Sequence, residues 1–439
     1  MDFGNINKEL IAFLDSSPNA FYAVDNMCKI LCEAGMTRLY EGMPWDLEAG
    51  KGYFVTRNDS AVIAFRIPKK DYTGFQMMVS HCDSPVFKIK TNAEITIDNQ
   101  YVKLNVEKYG GMLCAPWLDR PLSVAGRVIL RTEEGIETRL VNVDRDLMII
   151  PNLAIHMNRQ VNDGYAFNAQ VDMLPLFCEK GEEQDAFLKL IADEVDAQVS
   201  DILDTDLFLY NRMPATMLGL NEEFIASGRL DDLQCAFASL QGFLQAEPQD
   251  SVAVHCVFDN EEVGSGTKQG AASTFLKDTL HRINTAMGKT EDEYLMSIAS
   301  SFLVSADNAH AVHPNHPDKT DPTNRTYLNK GIVIKYSANQ KYTTDAISGA
   351  IMRAICKEAS VPYQTFTNRS DMLGGSTLGN ISQSQVALNT VDIGLPQLAM
   401  HSPYETAGAR DTAYLVEAAR VLFSSSVEGT GNGNYKLKF

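Results

Sequence analysis

The chain has 439 residues, 45% hydrophobic and 21% charged, which is the balance of a globular protein with material for two or three domains rather than of a disordered chain. Lys and Arg number 38 against 56 Asp and Glu, and the resulting net charge of −18 repels phosphate backbones and anionic lipid surfaces, arguing against nucleic acid or a membrane as partner. No apolar run approaches the ~20 residues of a spanning helix, and residues 1–15 lack the basic start and apolar centre of a secretory signal, so a cytoplasmic location is expected.

From the N-terminus, Leu10, Phe13, Leu14, Phe21, Val24, Met27 and Ile30 recur at three- and four-residue steps, predicting helix over residues 3–34. Between Tyr53 and Val79 the pattern shifts to short β runs, AVIAFRI and FQMMVSH, the second almost continuously apolar as in a strand buried on both faces. From about Thr91 to Asn221, alternating runs such as EITIDNQYVKLNVEKYGG, AGRVILRT and TRLVNV are punctuated by Gly, Pro and Asn, the texture of antiparallel hairpins. After about Asp231, apolar strands again alternate with helical stretches: VAVHCVFD, FLVSAD, GIVIKYS, the helix-like TTDAISGAIMRAICKEA, LPQLAMHS, and a last helix near Asp411 to Ser425. A polar tail rich in Ser and Gly follows, from Ser424 to Asn434. The simplest organisation is one α/β domain split in sequence (1–90 and 222–439) around an inserted, mostly β segment (91–221), with two or three consecutive domains as the alternative. Eight cysteines are scattered without a CxxC pair and read as reduced thiols rather than a disulfide framework.

Chemistry gathers where the apolar runs end, which is where open α/β sheets bind their ligands. His81 and Asp83 follow FQMMVS, Glu261 and Glu262 follow VAVHCVFD, Asp307 follows FLVSA, His401 follows LPQLAM, and Asp231 and Asp232 precede a helical stretch. One acidic residue at a strand end is commonly a helix cap, but several imidazoles and carboxylates at successive strand ends make a donor set for Zn²⁺, Mn²⁺ or Co²⁺. Paired Glu261 and Glu262 allow one carboxylate to bind metal while the other serves as a base, and Asp83 is placed to orient the His81 ring. GSGTKQG and GGSTLG miss the nucleophile-elbow spacing, the Gly288 stretch lacks the upstream glycine of a P-loop, and HExxH is absent.

The blocks SHCDSP, NLAIHMNRQVN, GRLDDL, DNEEVGSGTKQGA, SADNAHAVHPNHPDK, IKYSANQKY and PQLAMHSPYE, in that order, make the sequence resemble the M18 metallopeptidases, which include aspartyl aminopeptidases and vacuolar aminopeptidase I. The resemblance implies a split dinuclear zinc catalytic domain, with a mixed sheet flanked by helices, and an inserted β-rich dimerisation domain. It also implies a homo-oligomer, commonly a tetrahedral dodecamer, acting on short peptides. It makes Asp231 the bridging ligand, His81 and Asp307 the further ligands of one metal, and Glu262 and His401 those of the other. Glu261 matches the general base, Asp83 the residue that orients the histidine, and His156 a histidine that reaches a neighbouring subunit's site. His310, His313 and His316 receive no ligand role, and Asp232 reads as a cap or supporting group. Two Zn²⁺ per subunit are expected, with Mn²⁺ or Co²⁺ as substitutes. Lys335 and Lys341 are candidates for recognising an acidic first residue, and Asp371, in a Gly-rich loop, for lining the pocket. The alternatives are an aminopeptidase preferring neutral or hydrophobic residues, a two-metal hydrolase of N-acyl amides, and a non-catalytic oligomeric protein of the same fold.

Overall fold

A computed structural model describes residues 2–182, 185–372, 374–375 and 377–439. Its largest element is a mixed sheet of nine strands, in spatial order Thr37–Leu39, Gly52–Arg57, Ala61–Arg66, Val252–Phe258, Phe75–His81, Phe302–Ala306, Asn389–Gly394, Ile332–Lys335 and Tyr363–Phe366. Period-two alternation sends neighbouring residues to opposite faces. Phe54, Val62, Ala64, Met78 and Ala253 pack on one side with helices Phe3–Asp15, Ala20–Glu33, Leu230–Gln245, Ala346–Glu358 and Asp411–Ser424. Tyr53, Val55, Ile63, Phe65, Met77, Val79 and Val254 pack on the other with helices Phe275–Ala286 and Glu291–Ala299. Both faces being covered, Phe75–His81 and Val252–Phe258 are buried at every position, which is why they read as unbroken apolar runs.

The N-terminal helical stretch comprises two helices, Phe3–Asp15 and Ala20–Glu33. It breaks before Pro18, and Asn19 restarts it by accepting the N–H groups of Phe21 and Tyr22 at 3.1 and 3.3 Å. The polar tail is a correction: residues 426–438 form a hairpin, Ser426–Gly431 paired with Asn434–Lys438. Asn432 and Gly433 both take positive φ, 54° and 75°, the conformation an Asn-Gly turn supplies to tight hairpins, and Val427 anchors the hairpin in the core.

A second sheet of six antiparallel strands stands apart from the first, in the order Gly135–Asn142, Leu122–Thr132, Ile202–Asn211, Val86–Ile97, Tyr101–Tyr109 and Leu176–Glu179. It has its own core around Phe87, Leu104, Trp117, Val124 and Leu207, closed by helix Ala186–Glu194. The split α/β unit and the mostly β unit are joined by more than their chain crossings. Arg127 of the second sheet pairs with Asp206 at 2.9 Å, donates to the Asn58 carbonyl at 2.9 Å, and lies 4.4 Å above the Phe21 ring. A five-stranded sheet follows the order Thr216–Leu218, Phe224–Ser227, Glu405–Gly408, Pro396–Leu398 and Ala309–His310. No helix among the described residues is long and apolar enough to cross a membrane.

Candidate metal centre

Three neighbouring parallel strands of the large sheet, Val252–Phe258, Phe75–His81 and Phe302–Ala306, end on one side of the molecule. Register places Phe258 beside His81 and Ser305 beside Val79. The residues that follow these strands, Glu261, Glu262 and Asp307, therefore meet His81 by topology. His401 arrives from the turn after Pro396–Leu398, where Ala399 and His401 both adopt left-handed φ, 56° and 67°, and the Ser402 N–H closes on the Ala399 carbonyl at 3.0 Å. Asp231 enters at the start of helix Leu230–Gln245, and its peptide bond to Asp232 is cis.

Asp231 lies at the middle. Its Oδ1 is 3.5 Å from His81 Nε2 and its Oδ2 is 3.5 Å from His401 Nε2. Glu262 Oε2 lies 3.3 Å from His401 Nε2. Ligating atoms of His81, Asp231 and Asp307, of Asp231, Glu262 and His401, and of His81, Glu261 and Glu262 each come within 4.8 Å of one another. His81 Nδ1 is 3.1 Å from the Asp83 carbonyl oxygen, and donation of its proton there leaves the Nε2 lone pair facing the cluster. The Asp83 carboxylate lies 3.4 Å from the same nitrogen and accepts the N–H groups of Glu261 and Glu262, each at 3.1 Å. Asp232 is buried and accepts the His81 N–H at 3.1 Å, so it supports the strand end from below.

This concentration of buried carboxylates is met by a single lysine among the described residues, Lys335, 3.7 Å from Asp307 Oδ1. Burial raises the pKa of Glu262 well above the usual range, with Asp231 adding to it, and burial also pushes up Asp307 against the pull of Lys335. Burial opposes ionisation of Asp231 too, but the nearby His401 and His81 imidazoles hold it well below the ordinary carboxylate value. Asp231 Oδ1 and Glu262 Oε1 are buried without a hydrogen-bond partner, a costly state for carboxylate oxygens unless a cation meets them. Two imidazoles with several carboxylates suit Zn²⁺, and the orphaned oxygens lie within the same groups, so the residues present fit the metal.

The cluster opens into a cleft of about 290 Å³, walled by Asn308, His310, Lys335, Tyr342, Phe366, Gly375, Thr377 and Met400. Lys335 is the one lysine or arginine among these described lining residues; its Nζ donates to the Asn308 carbonyl at 2.9 Å and sits 3.7 Å from Asp307 Oδ1. Lys341 is exposed and does not line the cleft. Asp371 is exposed and paired with Arg369 at 2.7 Å, whereas Gly375 and Thr377 of its loop reach the cleft. His156 is exposed in the inserted segment, outside the cluster formed by its own chain. Of the His-rich run, His310 lines the cleft, while His313 and His316 are exposed and pack on each other at 5.1 Å. Two supporting residues escaped the reading by strand ends. Glu405 accepts the N–H groups of Asp231 and His401 at 3.1 and 2.8 Å, and Tyr109 donates to Asp83 Oδ2 at 2.6 Å. Glu405 carried a faint signal, standing four residues after His401 in HSPYE; Tyr109 carried none.

The model of the family described as aminopeptidase I zinc metalloprotease (M18) matches residues 13–423. A probable M18 family aminopeptidase 2 of Clostridium novyi (strain NT) is 47% identical over 424 residues, covering 95% of this chain and 98% of that protein. Among solved structures, the cryo-EM complex of Ape4 and Nbr1 aligns with a TM-score of 0.93 at 36% identity, covering 96% of this chain and 86% of that one. The S. cerevisiae mApe1 dodecamer shares the fold, with a TM-score of 0.85 at 24% identity over 96% of this chain and 97% of that one.

Proposed function

The chain belongs to the M18 family of zinc aminopeptidases, and from that premise we propose that it is a dinuclear enzyme removing N-terminal residues, with a preference for Asp and Glu, from short peptides. The observation that carries the reading is Asp231, whose two oxygens face His81 and His401 separately, as a carboxylate shared by two cations must. His81, Asp231 and Asp307 would hold one divalent cation and Asp231, Glu262 and His401 a second, and the pair would supply an acidified water, a polarised scissile carbonyl and an anchor for the free α-amine. Zn²⁺ is the metal of the family, and the same imidazole and carboxylate donors would also accept Mn²⁺ or Co²⁺.

The chain's own residues supply the proton traffic. In the metal-free chain, burial, reinforced by Asp307, Asp83 and Asp231 against the pull of His81, pushes the Glu261 carboxyl up to about 7. Glu261 takes a proton from the attacking water and returns it to the departing amine. Asp83 holds the Glu261 and Glu262 N–H groups, so the base and its neighbour keep separate directions. His156 of a neighbouring subunit donates to the oxygen on which charge develops. Lys335, the cation in the cleft wall, would face an acidic first side chain, while Lys341 and Asp371 lie outside that wall.

The same reading includes a homo-oligomer, with a tetrahedral dodecamer as its form; the fold shared with the mApe1 dodecamer supports it. Segment 91–221 is then the dimerisation domain, and 1–90 with 222–439 the catalytic domain. Eight cysteines without a disulfide suit the reducing cytoplasm. The test is a panel of peptides with free N-terminal Asp, Glu, Leu or Ala, and their acetylated forms, assayed with each metal. Asp and Glu are expected to be released fastest and acetylated peptides not at all. Glu261→Gln is expected to keep both metals by elemental analysis and to lose ~10²–10⁴-fold in kcat. Retention of most turnover would remove Glu261 as the base, and cleavage of acetylated peptides would replace the aminopeptidase reading with an acyl-amide hydrolase.

A further inference from the structure

Strand Tyr101–Tyr109 belongs to the inserted sheet, yet its last residue and those after it reach the metal cluster of the other domain. Tyr109 Oη lies 2.6 Å from Asp83 Oδ2 and 2.8 Å from Asn260 Nδ2. The direction of its proton follows from Asn260. That side chain's Oδ1 accepts from Thr267 Oγ1 and Gln269 Nε2, both at 2.8 Å, which turns its NH₂ towards Tyr109. Tyr109 Oη is thus the acceptor from Asn260 and must give its own proton to Asp83. Burial and the neighbouring Asp83 charge push the phenol pKa up, so the proton stays on the oxygen.

Asp83 in turn receives the N–H groups of Glu261 and Glu262 and lies beside the His81 ring. The chain after Tyr109 continues along the same wall. Gly110 has a φ of 75°, and a Cβ there would come within 3.1 Å of the Glu262 Cβ and 3.3 Å of its carbonyl oxygen. The Leu113 N–H donates to the His401 carbonyl at 3.1 Å. Residues 109–113 therefore touch the supports of His81 and Glu261, and the backbones of Glu262 and His401, from a sheet that supplies none of them.

We infer that Tyr109 is a positioning residue through which the inserted sheet fixes Asp83 and, by it, the Glu261–Glu262 turn and the His81 ring. The role belongs to the hydroxyl and not to the ring, which packs edge-on to Phe208 at 6.0 Å and would do so equally as phenylalanine. The inference rests on the dinuclear reading above, but its principal test uses zinc alone. Tyr109→Phe is expected to bind zinc about 10-fold more weakly in chelator competition, and to lose about 10-fold in kcat with KM nearly unchanged, the usual consequence of removing a group that orients a ligand. Its metal-free form should still fold but unfold at a somewhat lower denaturant concentration, because Asn260 Nδ2 and Asp83 Oδ2 each lose a partner. Phe208→Leu, which loosens the ring packing and keeps the hydroxyl, should unfold earlier and retain zinc affinity. Equal zinc affinity in Tyr109→Phe and wild type would overturn the inference, as would a matching loss in Phe208→Leu. A wild type that binds zinc but releases no N-terminal residue would instead remove the reading beneath it, while the zinc comparison would still decide the role of Tyr109.

Discussion

Glu405 carries more of the centre than its position in the chain announces. Its two oxygens accept the N–H groups of Asp231 and His401, residues 174 and four positions away, and Gln397 Nε2 approaches at 3.4 Å. In the metal-free chain, burial, with the charge of Asp231, pushes its carboxyl up to about 8. Removing it leaves two buried donors unmet at a cost of ~1–3 kcal/mol each, and frees both residues that flank the shared position. Glu405→Ala is therefore expected to lower the urea midpoint of the metal-free protein and to weaken zinc retention on dialysis, while Glu405→Gln, which keeps one acceptor oxygen, should fall between it and the wild type. An alanine variant with unchanged zinc retention would show that Asp231 and His401 are placed without it. The contrast with His401 explains what a sequence makes visible at this scale. His401 follows an apolar run and is an imidazole, so its residue type and its place both speak for it. Glu405 is one of 56 acidic residues, and only the pairing of Pro396–Leu398 with Glu405–Gly408 turns it under Asp231.

Among elements, strand Val252–Phe258 and helix Leu230–Gln245 meet through a buried histidine that serves no reaction. His255 Nδ1 is 2.8 Å from Ser239 Oγ, its ring stacks on Phe243 at 6.0 Å, and its Nε2 is buried without a hydrogen-bond partner. Burial pushes its pKa down to about 3. The unfolded chain, whose histidine titrates near 6.5, binds the extra proton first as pH falls, so stability present above about 6.5 is lost progressively towards 3. The expected loss is ~1.4 kcal/mol per pH unit over that window relative to His255→Gln, which cannot titrate. Urea denaturation of both proteins at pH 7.5, 5.5 and 4.5 measures it; parallel pH profiles would mean that the ring gains solvent or a partner on protonation. Element type was legible wherever burial made it so. Val252–Phe258 reads as a strand because both its faces are covered, and the strand-end positions of His81, Glu261 and Asp307 follow from such runs. The C-terminal hairpin was not, since Gly429, Gly431 and Gly433 weaken any β pattern and only Val427, Tyr435 and Leu437 supply apolar contact with the core. Residues 3–34 are helical as expected, and the break within them is local: Pro18 followed by a capping Asn19, which periodicity of apolar residues does not register.

At the scale of the whole molecule, the inserted segment offers surface that one chain leaves uncovered. Leu153, Ile155 and Met157 are 56%, 49% and 76% exposed, and His156 lies between the last two. Apolar side chains set this densely in one loop are what an interface between copies requires, and a histidine among them is carried wherever that interface leads. If it leads to the neighbour's cleft, each working centre is composite, with Glu261 from one subunit and His156 from the other. Complementation tests this directly. His156→Ala and Glu261→Gln, each nearly inactive alone, are co-expressed and the mixed oligomers purified through distinct tags. In a mixed pair, one centre combines an intact Glu261 with an intact His156, and the other carries both substitutions. Random pairing then restores about a quarter of wild-type centres, and selection for mixed pairs about half. Activity equal to the mean of the two separate variants would place His156 within its own subunit's chemistry or outside the chemistry altogether. Recovery well above that mean requires the two residues to meet across an interface, since no rearrangement of either chain alone can return the group it has lost.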